Sequence, residues 1–240
     1  MCEQYVAVAS EPFRIADLWP MTERLERFGL AGFGWGATWL GTDGELHSHR
    51  DIRAFRDDEG RERVGGEVTR ALLVHLRRPS KFSTIGIPDT QPFDDPAGRY
   101  AFSHNGDLAN DGAYRQRYRE AGRIHGKADS EVAARWLEDE WPSAAAATPA
   151  APDALRQLHD TFGGHANLAV LTRDGTAHHY AGNDENPVFT FDLPVGSAQA
   201  RLACTGMYSL DRSVFRYVVP EAANRRLVPR SSTATLQQVD

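Results

Sequence analysis

The sequence begins MCEQYVAVA (residues 1–9), in which a cysteine at position 2 comes directly before an alternating, largely apolar segment. That segment predicts a β-strand over Gln4–Ala9. An initiator methionine is removed when the next side chain is small, so Cys2 would then carry a thiol and a free α-amine. An ordinary thiol titrates near ~8.5 and an α-amine near ~7.7–8.0, so the amine can take the thiol proton at neutral pH. Taken alone, Met1-Cys2 favours an incidental cysteine, and the rest of the sequence has to decide.

Length and composition limit the class of protein. A chain of 240 residues predicts one domain over 1–240, with the last ten residues as a flexible tail. The net charge of -6 disfavours nucleic-acid binding, and no apolar run approaches the ~20 residues of a membrane helix. The N-terminus lacks a secretory signal pattern, and the two cysteines, Cys2 and Cys204, make no disulfide framework. We therefore expect a cytoplasmic protein without nucleic-acid or membrane partners.

Metal and nucleotide sites are not indicated. Neither cysteine belongs to a C-x-x-C pair, and the pairs His47/His49 and His178/His179 lack a supporting carboxylate pattern. These histidines are interpreted as surface or hairpin residues. The glycine-rich segment Gly32–Gly36 has no lysine at the spacing of a phosphate-binding loop, so its glycines indicate a bend or a close backbone approach. We expect no metal and no cofactor.

The pattern of apolar segments predicts many strands separated by a helical block, which is typical of an α+β layered architecture. The predicted strands lie near Gln4–Ala9, Gly34–Leu40, Ala71–Arg77, Arg99–His104, Ala166–Thr172, Thr176–Tyr180, Pro187–Phe191 and Arg201–Thr205. The predicted helices lie near Pro20–Phe28, Asp111–Ala121, Ser130–Glu140 and Pro152–Phe162. The Ala/Pro-rich stretch 143–152 between the last two is interpreted as a surface connection.

Three polar segments could carry chemistry. Arg77 closes an apolar strand, where its guanidinium can bind a carboxylate, although taken singly this arginine is better explained by a surface ion pair. Asn105 and Gly106 follow a predicted strand and would offer two donors to an oxyanion, yet Asn-Gly by itself favours a tight turn. Asp129 precedes the clearest helix and suits both an N-cap and a partner for a substrate ammonium.

Considered together, the segments follow a recognisable order: Cys2, His75-Leu76-Arg77, Gln91-Pro92-Phe93, His104-Asn105-Gly106 and Asp129-Ser130-Glu131. In order and spacing this resembles the class II glutamine amidotransferases over about residues 1–140. The family belongs to the N-terminal-nucleophile hydrolases, so the resemblance implies a four-layer αββα sandwich of two antiparallel sheets flanked by helices. The run Arg77–Ser80, Glu3 and Ala128 depart from the family pattern and bear on substrate identity.

The resemblance also implies the site. Cys2 would be the nucleophile, with Asn105 and Gly106 holding the oxyanion. Arg77 would bind the substrate α-carboxylate, Asp129 its α-ammonium, and His104 is assigned to substrate binding. The reaction would be hydrolysis of the side-chain amide of glutamine, or of a γ-glutamyl amide metabolite, through a Cys2 thioester.

Several alternatives stay open on the sequence. The enzyme could supply ammonia to a separate synthetase, or it could hydrolyse a γ-glutamyl linkage in a small metabolite. Arg78 and Lys81, beside the expected pocket, would suit an acidic extension of such a substrate. A catalytically inactive binding module on the same fold and an N-terminal cysteine acylase of another amide are the rival functions.

Overall fold

The computed structural model describes residues 2–142, 147–206 and 213–237. The strands of these ranges are β1 (Glu3–Arg14), β2 (Trp35–Leu40), β3 (Leu46–Asp51), β4 (Val68–Leu76), β5 (Phe93–Asp94), β6 (Tyr100–Leu108), β7 (Gly164–Thr172), β8 (Ala177–Ala181), β9 (Val188–Val195), β10 (Ala198–Thr205), β11 (Ala223–Leu227) and β12 (Ser232–Leu236). The α-helices are α1 (Trp19–Gly29), α2 (Gly60–Gly66), α3 (Gly112–Glu120), α4 (Asp129–Glu140), α5 (Ala147–Phe162) and α6 (Ser213–Val218).

The strands form two antiparallel sheets. The first has seven strands in the order β11-β9-β10-β1-β4-β2-β3, and the second has five in the order β12-β8-β7-β6-β5. The N-terminal strand β1 lies in the middle of the first sheet, with Glu3 opposite Leu76 of β4 and Tyr5 opposite Cys204 of β10. The residue at position 2 therefore lies next to the end of β4, where Arg77 follows.

Alternation along the strands divides the buried residues into layers. Even-numbered residues of β1, such as Val6 and Val8, pack against Ala169 and Leu171 of β7 in a core between the sheets. The other face of the first sheet packs against α1, and the outer face of the second sheet packs against α4 and α5. The result is the four-layer αββα sandwich that the resemblance implies.

The inter-sheet core is built from alanine, valine and leucine side chains, without aromatic residues among its buried members. Its alanines come from both sheets: Ala71, Ala101, Ala169, Ala177, Ala181 and Ala203. Tyrosine, tryptophan and phenylalanine fill the two outer cores instead, as in the edge-to-face contact of Trp19 with Trp35. The bulk of the hydrophobic burial therefore belongs to the helix–sheet layers.

Each predicted strand and helix corresponds to an element of the described structure, with shifted ends. The expected flexible tail is wrong in part, because residues 232–236 form β12 and pair with β8. The surface connection is also shorter than expected, since α5 already begins at residue 147. The remaining residues of both segments, 238–240 and 143–146, lie outside the described ranges. Within those ranges, no helix combines the length and the apolar character needed to cross a bilayer.

Candidate active site

Cys2 lies at the end of the inter-sheet row that begins with Val8, Val6 and Gln4 of β1. Its side chain is partly exposed. The backbone N–H of Arg78 donates a hydrogen bond to the sulfur atom at 3.3 Å. The loop that follows β4 therefore lies directly against the thiol.

Burial raises the pKa of the Cys2 thiol above its ordinary value, because an apolar environment disfavours the thiolate. The hydrogen bond from Arg78 and the positive charge of Arg77 oppose this shift without cancelling it, while the Glu3 carboxylate adds to it. At neutral pH the sulfur is therefore protonated. A base beside it is required before it can act as a nucleophile.

Arg77 is a buried cation with spare hydrogen-bonding capacity. One terminal nitrogen, Nη2, donates to the Thr84 hydroxyl at 2.8 Å. The other, Nη1, is buried and has no hydrogen-bond partner among the described residues. Burial lowers the pKa of the guanidinium, but an arginine keeps its charge in a protein. A buried guanidinium with an unused donor is suited to binding an anion.

The glycine-rich segment positions this arginine and its neighbours. The backbone of Gly34 accepts from the Arg77 N–H at 2.9 Å, which extends the β2–β4 ladder by one step. A Cβ at Gly36 would lie 2.3 Å from the carbonyl oxygen of Gln91, so only glycine allows the Gln91 loop to approach β2. The close approach expected from Gly32–Gly36 is present.

Gln91 fixes the backbone of β6 at His104. Its side-chain oxygen accepts the His104 N–H at 2.6 Å, and its amide nitrogen donates to the His104 carbonyl at 3.0 Å. The carboxamide thus replaces a neighbouring strand at this point, and the peptide bond that follows it, Gln91–Pro92, is cis. The sequence contained Gln91 within a motif but did not indicate this role.

Asn105 and Gly106 belong to β6, so the interpretation of Asn-Gly as a tight turn is wrong. Asn105 lies on the same face of β6 as Ser103 and Ala101, towards the inter-sheet space. It is fully buried, and neither its Oδ1 nor its Nδ2 has a hydrogen-bond partner in the described structure. Gly106 has φ +143°, and a Cβ there would lie 1.9 Å from the carbonyl oxygen of His165, so a side chain cannot be accommodated.

Asp129 is the first residue of α4, and Ala128 occupies the N-cap position, so the N-cap interpretation is wrong. Its carboxylate accepts the N–H of Leu108 at 2.8 Å and that of Ser130 at 2.9 Å. Its Oδ1 also lies 4.0 Å from Nδ1 of His104. Burial lowers the pKa of His104, and its Nε2 has no partner within the described ranges.

Two buried acidic residues hold the loop before α4. Asp89 accepts the N–H groups of residues 127 and 128, each at 2.7 Å. Glu131 accepts those of residues 125 and 126, at 2.9 and 2.6 Å. The loop is therefore anchored from both sides. These bonds fix the position of Asp129 without a side-chain hydrogen bond from residue 128, which is an alanine.

One cavity connects most of these groups. It has a volume of about 400 Å3, within the range usual for small-molecule sites, and its walls include Cys2, Arg77, His104, Gly106 and Asp129. Asn105, which is fully buried, is the one expected site residue that does not line it. The five that line it come from the N-terminus, the residue directly after β4, the strand β6 and the start of α4.

A chain of buried hydrogen bonds lies behind the site and joins the two sheets. The Ser103 hydroxyl donates to Gln4 Oε1 at 2.7 Å, so Ser103 must accept from Nδ1 of His75 at 2.8 Å. The amide nitrogen of Gln4 donates in turn to Nε2 of His179 at 3.3 Å. Burial lowers the pKa of both histidines, that of His179 to about 4, and a neutral His179 is what its role as acceptor requires.

A second group of polar residues lies outside the cavity. His49, Asp51 and Asp58 place three ligand atoms within 4.8 Å of one another. Arg53 donates to the two carboxylates at 2.8 and 2.6 Å, and Trp35 Nε1 donates to Asp58 at 3.0 Å. The carboxylates are thus already compensated by a cation and hydrogen bonds, so the group is suited to a structural role.

The interpretation of the histidine pairs needs correction. His47 does have a carboxylate partner, Asp43, at 3.0 Å, and His49 pairs with the buried Asp58. His178 and His179 are not surface residues, because both are buried in β8. Asp43 lies only four residues before His47 and could have been recognised, whereas the pairing of His49 with Asp58 and the burial of β8 depend on the tertiary fold.

Neither a protein-family model nor a curated protein sequence matches the chain significantly. Solved structures do resemble it. Glutamine phosphoribosylpyrophosphate amidotransferase from Bacillus subtilis superposes with a TM-score of 0.69 and 14% identity over 99% of the chain and 49% of its own length. A protein described as the allosteric regulatory enzyme of purine biosynthesis gives a TM-score of 0.70 and 15% identity, with the same coverage of 99% and 49%.

A third solved structure has a similar length. It is a glutamine aminotransferase class-II domain protein from Silicibacter pomeroyi, with a TM-score of 0.54 and 16% identity over 97% of this chain and 94% of its own. The chain thus spans about half the length of the first two proteins and nearly all of the third. At these identities the likeness concerns the fold. The chain has the fold of these glutamine amidotransferase structures, which is the fold that the sequence resemblance implies.

Proposed function

We propose that the protein is an amidohydrolase that cleaves the side-chain amide of a free γ-glutamyl group through a thioester on Cys2. The observation that carries the proposal is that Cys2 shares one cavity with a buried cation, Arg77, and a carboxylate, Asp129. A free γ-glutamyl group presents an α-carboxylate and an α-ammonium at one end and the reacting amide at the other. The cavity offers a partner for each of these three features.

The raised pKa of the Cys2 thiol supports a base that acts on the same residue. Once Met1 has been removed, the α-amine of Cys2 is that base, because its ordinary pKa of ~7.7–8.0 leaves roughly a tenth to a sixth of it unprotonated at pH 7. The amine takes the thiol proton as the sulfur attacks the amide carbon. Retention of Met1 would convert the amine into a peptide N–H, which cannot serve as a base.

Arg77 and Asp129 form the substrate clamp of the proposal. The unused Nη1 of Arg77 receives the α-carboxylate, and the bond to Thr84 keeps the guanidinium in place. Asp129, oriented by two backbone N–H groups, receives the α-ammonium, with His104 as its neighbour. This pair of opposite charges selects a free γ-glutamyl group over a glutamine within a peptide, which lacks both charges.

The oxyanion is held by the side-chain amide of Asn105 and the N–H of Gly106. A buried donor without a partner is already desolvated, so it loses no bond to water when the oxyanion forms. The immobile backbone of β6, pinned by Gln91, keeps the donors oriented.

The reaction then balances in two halves. In the first half, the C–S bond forms and the carbonyl electrons pass to the oxyanion. They return to the carbonyl as the C–N bond breaks, and the protonated α-amine gives its proton to the leaving nitrogen. Water attacks the thioester next, with the same amine taking its proton, and the C–S bond breaks to give a γ-carboxylate and the thiol.

The two rival functions differ in what they require of the site. An inactive binding module needs no reactive Cys2. An acylase for an apolar acid needs no pair of opposite charges, so Arg77 and Asp129 favour the γ-glutamyl substrate over it. The glutamine amidotransferase fold agrees with that preference.

Intact mass spectrometry after incubation with a diazoketone analogue of glutamine tests the proposal. We expect a mass without Met1 plus one adduct, which is absent from Cys2→Ala and retained in Cys204→Ala, the matched control for the second cysteine. Glutamate release from glutamine or a γ-glutamyl amide should follow the same pattern. Retained methionine, or an unlabelled Cys2 with no glutamate release, would refute the proposal.

A further inference from the structure

The walls of the cavity carry more positive charge than a γ-glutamyl group can use. Six cationic and three acidic side chains line it, a surplus of three positive charges in a chain whose net charge is -6. The cations are Arg77, Arg78, Lys81, Arg115, Arg119 and Lys127, and the acids are Asp107, Asp111 and Asp129. The surplus is thus concentrated at this site against the trend of the whole chain.

Two of the cations and two of the acids are already accounted for. Arg77 and Asp129 face the two charges of the γ-glutamyl group, and Arg115 forms an ion pair with Asp111 one helical turn before it, with Nε at 2.9 Å from the carboxylate. Four cations then remain against one acid, Asp107. Within the described ranges none of the four, Arg78, Lys81, Arg119 and Lys127, forms an ion pair.

Helix α3 contributes one of these unpaired cations at an energetic cost. Residues 111, 115 and 119 are spaced four apart, so they lie on one face of the helix, and all three line the cavity. Arg119 follows Arg115 at the spacing at which like charges repel. An anion bound between α3 and the opposite wall would relieve this repulsion.

The side of the cavity opposite α3 includes the loop that follows β4, and this loop contacts Cys2. Arg78 contacts the sulfur of Cys2 through its backbone N–H, so its side chain starts from the segment nearest the reacting atom. Lys81 lies three residues further along the same loop, and Lys127 lies in the loop held by Asp89. Arg78 and Lys81 are therefore in the loop that contacts the nucleophile, and all four unpaired cations line the one cavity into which the amine part of a γ-glutamyl amide would extend.

We infer that the substrate is a γ-glutamyl amide whose amine part carries an anionic group, a carboxylate or a phosphate, which these unpaired cations bind. The inference rests on the proposed function and narrows it. Glutamine itself would release ammonia, which has nothing for this wall to bind. The geometry therefore favours hydrolysis of a γ-glutamyl metabolite over supply of ammonia to a separate synthetase.

The test compares the kcat/KM for glutamate release from compounds that differ only in the amine part. γ-Glutamylglycine carries a carboxylate, γ-glutamyl aminoethylphosphate a phosphate, γ-glutamyl methylamide no charge, and γ-glutamyl ethylenediamine a positive charge. We expect the better of the two anionic compounds to exceed the methylamide by about 10-fold or more, and the cationic compound to be the poorest. Added salt should reduce the preference, because these side chains are near solvent.

Substitutions test whether the unpaired cations cause the preference for anionic compounds. Arg119→Gln and Lys127→Gln should each lower the ratio of anionic to neutral kcat/KM several-fold. Arg117→Gln is the matched control, since Arg117 lies on the same helix, is mostly exposed, and does not line the cavity. Its ratio should equal that of the unaltered protein.

The outcomes separate this inference from the proposed function. A ratio near one, with glutamine and the methylamide still hydrolysed, overturns the inference and leaves the amidohydrolase intact. If no compound is hydrolysed, calorimetry on Cys2→Ala decides: tighter binding of an anionic compound than of the methylamide supports the anion site. Equal or absent binding there overturns it.

Discussion

Replacing Asn105 by leucine should leave the protein at least as stable while removing most of its activity. Asn105 is fully buried, and both polar atoms of its side chain have no hydrogen-bond partner in the described structure. A buried polar atom without a partner costs about 1–3 kcal/mol, so the native residue destabilises the fold at this position. Leucine has the same branch point and the same number of side-chain heavy atoms as asparagine, and it has no polar atom to desolvate.

The magnitudes follow from this cost and from the proposed role. Removing the unpaired polar atoms should raise the free energy of unfolding by about 1–3 kcal/mol, which corresponds to a Tm increase of about 2–4 °C per kcal/mol for a chain of this length. Losing one oxyanion donor should lower kcat/KM for glutamate release by about 10²–10³-fold. Stability and activity would thus change in opposite directions, as at sites where function has been selected at the expense of stability.

Calorimetric unfolding and a glutamate-release assay on the same preparations measure the two effects. Ser103→Ala is the matched control, because Ser103 lies two residues earlier on the same face of β6 and uses its hydroxyl in two buried hydrogen bonds. It should lose about 1–3 kcal/mol of stability. An Asn105→Leu protein that is as unstable as Ser103→Ala, or that keeps its activity, would refute the reasoning.

Three further predictions concern the surroundings of the site. Burial lowers the pKa of His178 and His179 to about 4, so below pH 6.5 the unfolded chain binds more protons than the folded one, and the protein becomes less stable as the pH is lowered. Urea titrations should show a loss of about 2 kcal/mol per histidine between pH 7 and pH 5, and a smaller loss in His178→Gln. Gln91→Leu removes the two buried hydrogen bonds between the Gln91 side chain and the His104 backbone, so it should lower the free energy of unfolding by about 2–4 kcal/mol. It should also lower kcat, and an unchanged kcat would contradict the positioning role of Gln91. Alkylation of Cys2 by iodoacetamide should reach half its maximal rate at a higher pH than alkylation of a cysteine peptide, and at a still higher pH in Arg77→Gln, because the arginine charge favours the thiolate.

The sequence pattern predicted the central strands of both sheets but not their edge strands. The unpredicted strands, β3, β5, β11 and β12, are the four edge strands. β3 has the sequence LHSHRD and β11 the sequence ANRRL, neither of which alternates between apolar and polar residues. An edge strand pairs on one side and is half exposed, so its side chains need not follow the pattern that burial imposes on a central strand.

The candidate site was predictable where a residue type is tied to a local pattern. Cys2, Arg77 and Asp129 stood out from their positions at the start of the chain, the end of a strand and the start of a helix, and all three line the cavity. The role of Gln91 depends on an approach to β6 that is visible only when the sheets are assembled.

The sequence placed two of the unpaired cations, Arg78 and Lys81, beside the expected pocket, but it missed the other two, Arg119 and Lys127, for a related reason. Arg119 belongs to a helix with an unremarkable sequence, and nothing local indicates that its face meets the loop around Lys127. A wall built from separate segments has no sequence signature of its own, since its members come together only through the tertiary fold.

The chain of hydrogen bonds from His75 through Ser103 and Gln4 to His179 has an evolutionary consequence. Each inner member both donates to one neighbour and accepts from the other, and every member is buried. A single substitution at any of the four would leave a buried group unpaired, which is costly in an interior of this kind. Among descendants of this protein, the four positions should therefore be inherited as a unit, and be exchanged together or not at all, even where the residues that line the cavity have diverged.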